Sequence, residues 1–233
     1  MNKLIKQMTF HSIRLRIFPV LNDNFVYLLD DGNHAVLIDA GDVKQVIDVV
    51  NNERLKLLQV LITHDHKDHT MGCRILQEKF GVLSRSPSVS SRTEEWLGFS
   101  CEVVSTPGHT KVDKSFYFPE LAILFSGDCL INGACGRILG GTVVEMFKSL
   151  RWISSLPENT LIFGGHDYLL DNLNFASSEG MCIDDINNRK DLYSNNSTSA
   201  LFMSLKDEKL TNPFLSCDSL SSFTDLRIRK DAY

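Results

Sequence analysis

Apolar and polar positions alternate along the chain in two distinct rhythms, and the rhythms lay out its elements. From Ile13 to Val20, Ile13, Leu15 and Ile17 alternate with Arg14, Arg16 and Phe18, the two-residue period of a half-buried strand ending at Pro19. Leu21 to Asn24 forms a turn and Phe25 to Leu29 a second strand. Asp30-Asp31-Gly32-Asn33 is a hairpin signal leading into a third strand from Ala35 to Ile38, so the opening is a meander. The period then lengthens. Val43, Val46, Ile47 and Val50 share one helical face, predicting an amphipathic helix from Val43 to Asn51 that can cover a sheet. Leu57 to Ile62 is an apolar run bounded by polar segments, hence a buried strand. A second helix is expected from Thr70 to Phe80, with Met71, Ile75, Leu76 and Phe80 inward and Gly81 as its stop.

The serine-rich stretch Ser84 to Arg92 has little apolar content and is expected as an exposed loop. A strand from Cys101 to Ser105 leads into Thr106-Pro107-Gly108-His109-Thr110, where proline and glycine force a turn. Ser115 to Phe118 and Leu121 to Phe125 make another strand pair, the second ending in Ser126-Gly127-Asp128. The glycines from Gly133 to Gly141 lack the order of a phosphate-binding loop and predict a turn of close backbone approach. Thr142 and Glu145 match a capping box for a helix to about Ser154, with Met146, Phe147, Leu150 and Ile153 inward. Leu161 to His166 is the last buried strand. Beyond Asp167 the apolar periods shorten to Leu169 to Ala176, Ile183 to Leu192 and Ala200 to Leu205, and the stretch from Ser216 is expected to be loosely ordered. The division this suggests is a catalytic part, residues 1–166, and a mainly helical C-terminal part on the substrate side, residues 167–233.

Composition narrows the possibilities. With 233 residues and 43% hydrophobic content the chain can bury a substantial core without staples. A net charge of -5 and a pI near 5.8 argue against a nucleic-acid or anionic-membrane partner, both of which need a basic surface. Cys73, Cys101, Cys129, Cys135, Cys182 and Cys217 are scattered without a CxxC pair, as expected of reduced thiols. The segment Met1 to Lys6 does not develop the apolar run of a signal peptide, so a cytoplasmic enzyme is expected.

The candidate chemistry lies just past the strands. Thr63 to His69 follows the Leu57 to Ile62 strand at once and brings together His64, His66, Asp68 and His69, three of the seven histidines in the chain. A turn at a strand end can aim such side chains into one cavity, and dense His/Asp grouping marks metal chemistry more often than a solvated loop. His109, Asp128 and His166 follow other apolar strands in the same way, leaving His11 and His34 as surface residues. Alone, Asp128 would be an ordinary turn aspartate; in this company it is the natural carboxylate for two ions to share. Asp39, after the third strand, can hold a ligand histidine in its tautomer or cap the next helix, and the sequence favours neither. Imidazole and carboxylate without thiolate suit zinc first and tolerate iron or manganese. Seven ligands exceed one tetrahedral ion and fit two divalent ions sharing Asp128. Two ions about 3.5 to 4 Å apart can hold a bridging hydroxide at neutral pH and polarise the oxygen of the group it attacks, so hydrolysis is expected.

Thr63 to His69, with Asp39-Ala40-Gly41, Pro107-Gly108-His109-Thr110, Gly127-Asp128 and Gly164-Gly165-His166, resemble the metallo-β-lactamase superfamily. The resemblance implies an α/β fold, a four-layer αββα sandwich, here with a short C-terminal helical appendage. It places His64, His66 and His109 on one metal and Asp68, His69 and His166 on the other, with Asp128 bridging and Asp68 and Asp128 as the carboxylates of the catalytic centre. Within the superfamily the chain is similar to glyoxalase II, the hydroxyacylglutathione hydrolases. The shared segments are Pro19 to Phe25, Gly133 to Arg137, Gly141-Thr142, Gly165 to Tyr168, Asp171 to Ala176 and Asn212 to Leu215. This implies a binuclear metallohydrolase that cleaves a small-molecule thioester, S-D-lactoylglutathione or a related acyl-thiol, with Arg137 and Tyr168 at the glutathione. Leu139 stands where some members carry a second tyrosine, Ser216 and Ser219 where basic residues are often found, and Asp113 where a histidine is common. Two alternatives stay open: a thioesterase for another thiol carrier, and a persulfide dioxygenase with one iron. A monomer or weak oligomer is expected.

Overall fold

A computed structural model describes residues 6–85, 92–195 and 198–233. The chain divides into two compact units, the first ending at Val104 and taking in Phe116–Leu121, the second comprising Ser105–Ser115 and Ala122–Tyr233. Compactness thus divides the chain elsewhere than at residue 166.

The first unit is built on a six-stranded sheet. Strands β1 (Lys6–Phe10), β2 (Ile13–Val20), β3 (Asn24–Asp30) and β4 (His34–Ile38) run antiparallel as a meander. Helix α1 (Lys44–Asn52) then carries the chain back to β5 (Lys56–Leu61), which lies parallel to β4. Val46, Ile47 and Val50 of α1 pack with Leu37, Leu57 and Val60 in one buried cluster. Each such side chain removed from water contributes about 1.5–3 kcal/mol before the entropy of ordering is counted. Two short helices follow, α2 (Lys67–Thr70) and α3 (Cys73–Phe80), and then β6 (Ser84–Arg85) parallel to β5.

Strands β7 (Arg92–Trp96) and β8 (Phe99–Ser105) form a hairpin whose turn residues Leu97 and Gly98 both have positive φ, matching the right-handed strand twist. β9 (Lys114–Phe118) follows. The β7–β8 pairing belongs to the first unit.

In the second unit β10 (Ile123–Gly127) pairs in parallel with β13 (Leu161–Gly164), and β11 (Leu130–Ile131) with β12 (Ala134–Cys135) makes a two-stranded ribbon. Helix α4 (Val143–Ser154) starts at Thr142, whose hydroxyl oxygen accepts from the Glu145 N–H at 3.2 Å, as expected. Helices α5 (Leu169–Ser178), α6 (Ile183–Ser194), α7 (Leu205–Thr211) and α8 (Leu220–Ala232) complete it. Two sheets with helices agree with the expected mixed α/β class. Among the described residues no helix is long and apolar enough to cross a membrane.

The structure corrects several sequence expectations. β2 is buried on both faces, and Arg16 is tolerated there because buried Asp30 and exposed Glu53 neutralise it, its Nη1 lying 2.5 Å from Glu53 Oε1. The helix expected from Thr70 to Phe80 breaks at Gly72, whose N–H donates to the Ala40 carbonyl at 2.7 Å. A Cβ there would sit 2.6 Å from Val43, so the break allows close packing and resets the inward face to Cys73, Leu76 and Phe80, leaving Met71 and Ile75 exposed. Of the loop expected from Ser84 to Arg92, Ser84–Arg85 and Arg92 lie in strands, while residues 86–91, like 1–5, fall outside the described residues. Leu121 ends a 3-10 turn rather than starting a strand, and within the span Ala200 to Leu205, Ala200 ends another 3-10 turn while the α-helix begins only at Leu205. The tail from Ser216 is ordered: α8 has a Ser219/Ser222 capping box and buries Phe223 and Leu226.

Candidate metal centre

In the first unit, β5 delivers Thr63 to His69 at its end, and Asp39 at the end of the adjacent parallel strand β4 meets it. Asp39 Oδ1 accepts from the Thr63 N–H at 2.8 Å, and Oδ2 accepts from the Thr63 hydroxyl at 2.9 Å. His69 Nδ1 lies 2.8 Å from Asp39 Oδ2. A carboxylate only accepts, so His69 must carry its proton on Nδ1 and offer the lone pair of Nε2. The Thr63 hydroxyl spends its proton on Asp39, so its oxygen accepts from His64 Nδ1 at 3.1 Å, and His64 too presents Nε2. One carboxylate thereby sets the tautomer of two imidazoles. The alternative role for Asp39 is absent: α1 is capped at Val43 with no side-chain cap bond.

His64 Nε2 and His66 Nδ1 stand 3.1 Å apart, and His69 Nε2 and Asp68 Oδ2 3.6 Å apart. Asn24 Nδ2 donates to Asp68 Oδ2 at 2.7 Å, which aims that carboxylate. Gly41 allows the approach: a Cβ there would lie 2.2 Å from the Asp68 carbonyl oxygen.

In the second unit, His109 Nδ1 donates to the Arg137 carbonyl at 2.6 Å, so His109 also presents Nε2. His109 Nε2 lies 3.4 Å and His166 Nε2 3.2 Å from Asp128 Oδ2. The turn carrying His109 is tied by Asp113, which accepts from the Thr110 N–H at 2.7 Å and from the Thr110 hydroxyl. Burial pushes the Asp113 carboxyl up to about 6, against the lowering by those two bonds. The expected close-approach turn is present: a Cβ on Gly136 would lie 2.1 Å from the Asp128 carbonyl oxygen. Burial pushes the Cys129 thiol well up.

These spacings test the donor set. Two ligand atoms each 2.0–2.1 Å from a tetrahedral ion lie about 3.3 Å apart. The four pairs above span 3.1 to 3.6 Å, and every imidazole whose Nδ1 is engaged presents Nε2. Nitrogen and oxygen donors held this way fit a divalent cation.

The outer residues are placed as follows. Tyr168 stacks on His166 with ring centroids 4.8 Å apart and planes 11° apart. Arg137 is exposed, its Nε 3.4 Å from Asp231 on α8, which also accepts from Arg227 at 2.8 Å. Lys230 lies over the rings of Phe175 and Tyr233; burial first, then the nearby cation Arg227, push its pKa down. Leu139 is exposed, as are His11 and His34. Sequence reasoning gave no role to Thr63 or Asn24; for Thr63 the available signal was a polar residue at the end of an apolar strand, the same signal that marks the candidate ligands, whereas Asn24 opens β3 and lacks it.

The hydroxyacylglutathione hydrolase of Haemophilus ducreyi is 32% identical over 235 residues, covering 95% of this chain and 100% of that protein. The chain belongs to the hydroxyacylglutathione hydrolase family. A metallo-β-lactamase superfamily profile matches residues 21–94. The fold is that of the superfamily: ETHE1 from Myxococcus xanthus superposes with a TM-score of 0.68 at 23% identity, over 97% of this chain and 90% of that one. TTHA1623 in a di-iron-bound form superposes with a TM-score of 0.60 at 26% identity, over 84% of this chain and 99% of that one. As a hydroxyacylglutathione hydrolase family member the chain is a metallohydrolase, and its His and Asp groups are candidate sites for divalent ions.

Proposed function

We propose that the seven ligands hold two divalent ions, zinc first, and that the enzyme hydrolyses a glutathione thioester of the S-D-lactoylglutathione type. His64, His66 and His109 take one ion, Asp68, His69 and His166 the other, and Asp128 is shared. The observation that carries the reading is the run of tetrahedral spacings between pre-oriented ring nitrogens and carboxylate oxygens. The di-iron form of TTHA1623 supports a two-ion centre on this fold.

Bound there, the ions supply Lewis acidity toward a thioester carbonyl and lower the pKa of water. The chain's part is to fix the donors: Asp39 holds two tautomers, Asn24 aims Asp68, and the Arg137 carbonyl orients His109. Water adds to the carbonyl carbon, the C–S bond breaks, and sulfur leaves as a thiolate, which with an ordinary pKa of about 8.5 needs no full protonation. The acid and the free thiol are the products.

Exposed Arg137 offers positive charge for a carboxylate of the thiol carrier, and Tyr168 presents its ring beside His166. Residues 167–233 thus form the substrate side. The test is a panel of acyl-thiols, S-D-lactoylglutathione beside other carriers, on protein of measured metal content. Hydrolysis is expected to be abolished in His66→Ala and Asp128→Ala, while Arg137→Ala chiefly raises KM. Metal-replete protein that turns over no thioester would refute the proposal, and preference for another carrier would correct only the glutathione part.

A further inference from the structure

The β11–β12 ribbon carries the second unit's ligands. It opens just after Asp128 and closes just before Gly136 and Arg137. At its base the Gly136 N–H donates to the Asp128 carbonyl at 3.0 Å, and the Arg137 carbonyl accepts from His109 Nδ1 at 2.6 Å. At its tip Asn132 Nδ2 donates to the His166 carbonyl at 2.8 Å. His109, Asp128 and His166 therefore all take their positions from residues 132–137.

A carboxylate far along the chain holds this ribbon. Glu208 of α7, 2% exposed, accepts from the Gly133 N–H at 2.6 Å through Oε1. The same oxygen accepts from Asn212 Nδ2 at 2.9 Å, and Asn212 also donates to the Ala134 carbonyl at 3.2 Å. The other oxygen lies 2.7 Å from Nη2 of Arg189 on α6, itself 1% exposed. Arg189 donates in turn to the Ala200 carbonyl at 2.9 Å and the Thr211 hydroxyl at 2.5 Å. A buried ion pair contributes little net stability compared with an apolar pair of the same volume. Its placement at the ribbon tip points to geometry instead, since a charged acceptor makes the stronger bond to a backbone N–H.

We propose that Glu208 is a positioning residue of the metal centre: by gripping the Gly133 N–H it fixes the ribbon that sets His109, Asp128 and His166. This rests on the two-ion reading above. Three variants separate positioning from stability. Arg189→Met breaks the ion pair and leaves the Glu208 bond to Gly133; Glu208→Gln keeps an acceptor oxygen there; the double variant Glu208→Leu with Arg189→Met removes the acceptor while leaving no buried unpaired charge.

Zinc affinity is read by competition with a chromophoric chelator, and stability by urea unfolding of the apoproteins. Arg189→Met is expected to be the least stable yet to bind zinc like the parent, and Glu208→Gln to stay near it. The double variant is expected to be more stable than Arg189→Met and to lose about tenfold in affinity, the effect of an outer partner of a ligand. Affinity that follows stability across the three overturns the role. A second arm uses only the parental chain: zinc must slow amide exchange in residues 129–136 and also in 205–212, because coupling is reciprocal. Protection confined to the ribbon overturns the proposal as well. A parent that binds no zinc removes the two-ion reading and this inference together, whereas zinc bound equally by parent and double variant removes only the inference.

Discussion

Asp39 accepts from Thr63 and His69 at once, and an amide in its place can accept on only one atom. Asp39→Asn is therefore expected to keep the fold, seen by circular dichroism, and to weaken zinc binding by about 10- to 100-fold. Unchanged affinity would show that the tautomers are set without it. The six cysteines give a second check, since all are free thiols but only Cys182 is exposed. Cys182 should react first with a thiol reagent, half-buried Cys73 slowly, and Cys101, Cys129, Cys135 and Cys217 only after unfolding. At this scale the candidate ligands were legible because each histidine or aspartate follows an apolar strand. Glu208 and Arg189 were not, because two charges at ordinary helix positions look solvated until their burial and pairing are seen.

Elements with a clean period were legible as well: β3, β4, α1 and α4 lie within a residue or two of their expected places. Failures occurred where a local contact overrides the pattern. Gly72 breaks the helix and rotates its buried face, and α8 hides an inward position behind a charge, since the Arg227 guanidinium lies 5.0 Å from the Phe214 ring centre. Phe223 anchors α8 between Phe147 and Phe214, with ring centroids at 5.5 and 5.6 Å. Phe223→Ala should cost about 3–5 kcal/mol in urea unfolding. A loss under 1 kcal/mol would mean that α8 contributes no core.

For the whole molecule, four of the proposed ligands come from the Thr63 to His69 turn and three from positions forty or more residues further along the chain. Ions that bind the folded chain and not the unfolded one must stabilise it, by about 2.7 kcal/mol at a hundredfold excess over Kd. Removing metal with a chelator should therefore lower Tm, and zinc should restore it. The most direct test is the number of zinc ions bound per chain, by elemental analysis after equilibrium dialysis. Two ions are expected in the parent and one in His66→Ala; a single ion in the parent, unchanged by that substitution, would contradict the two-ion centre.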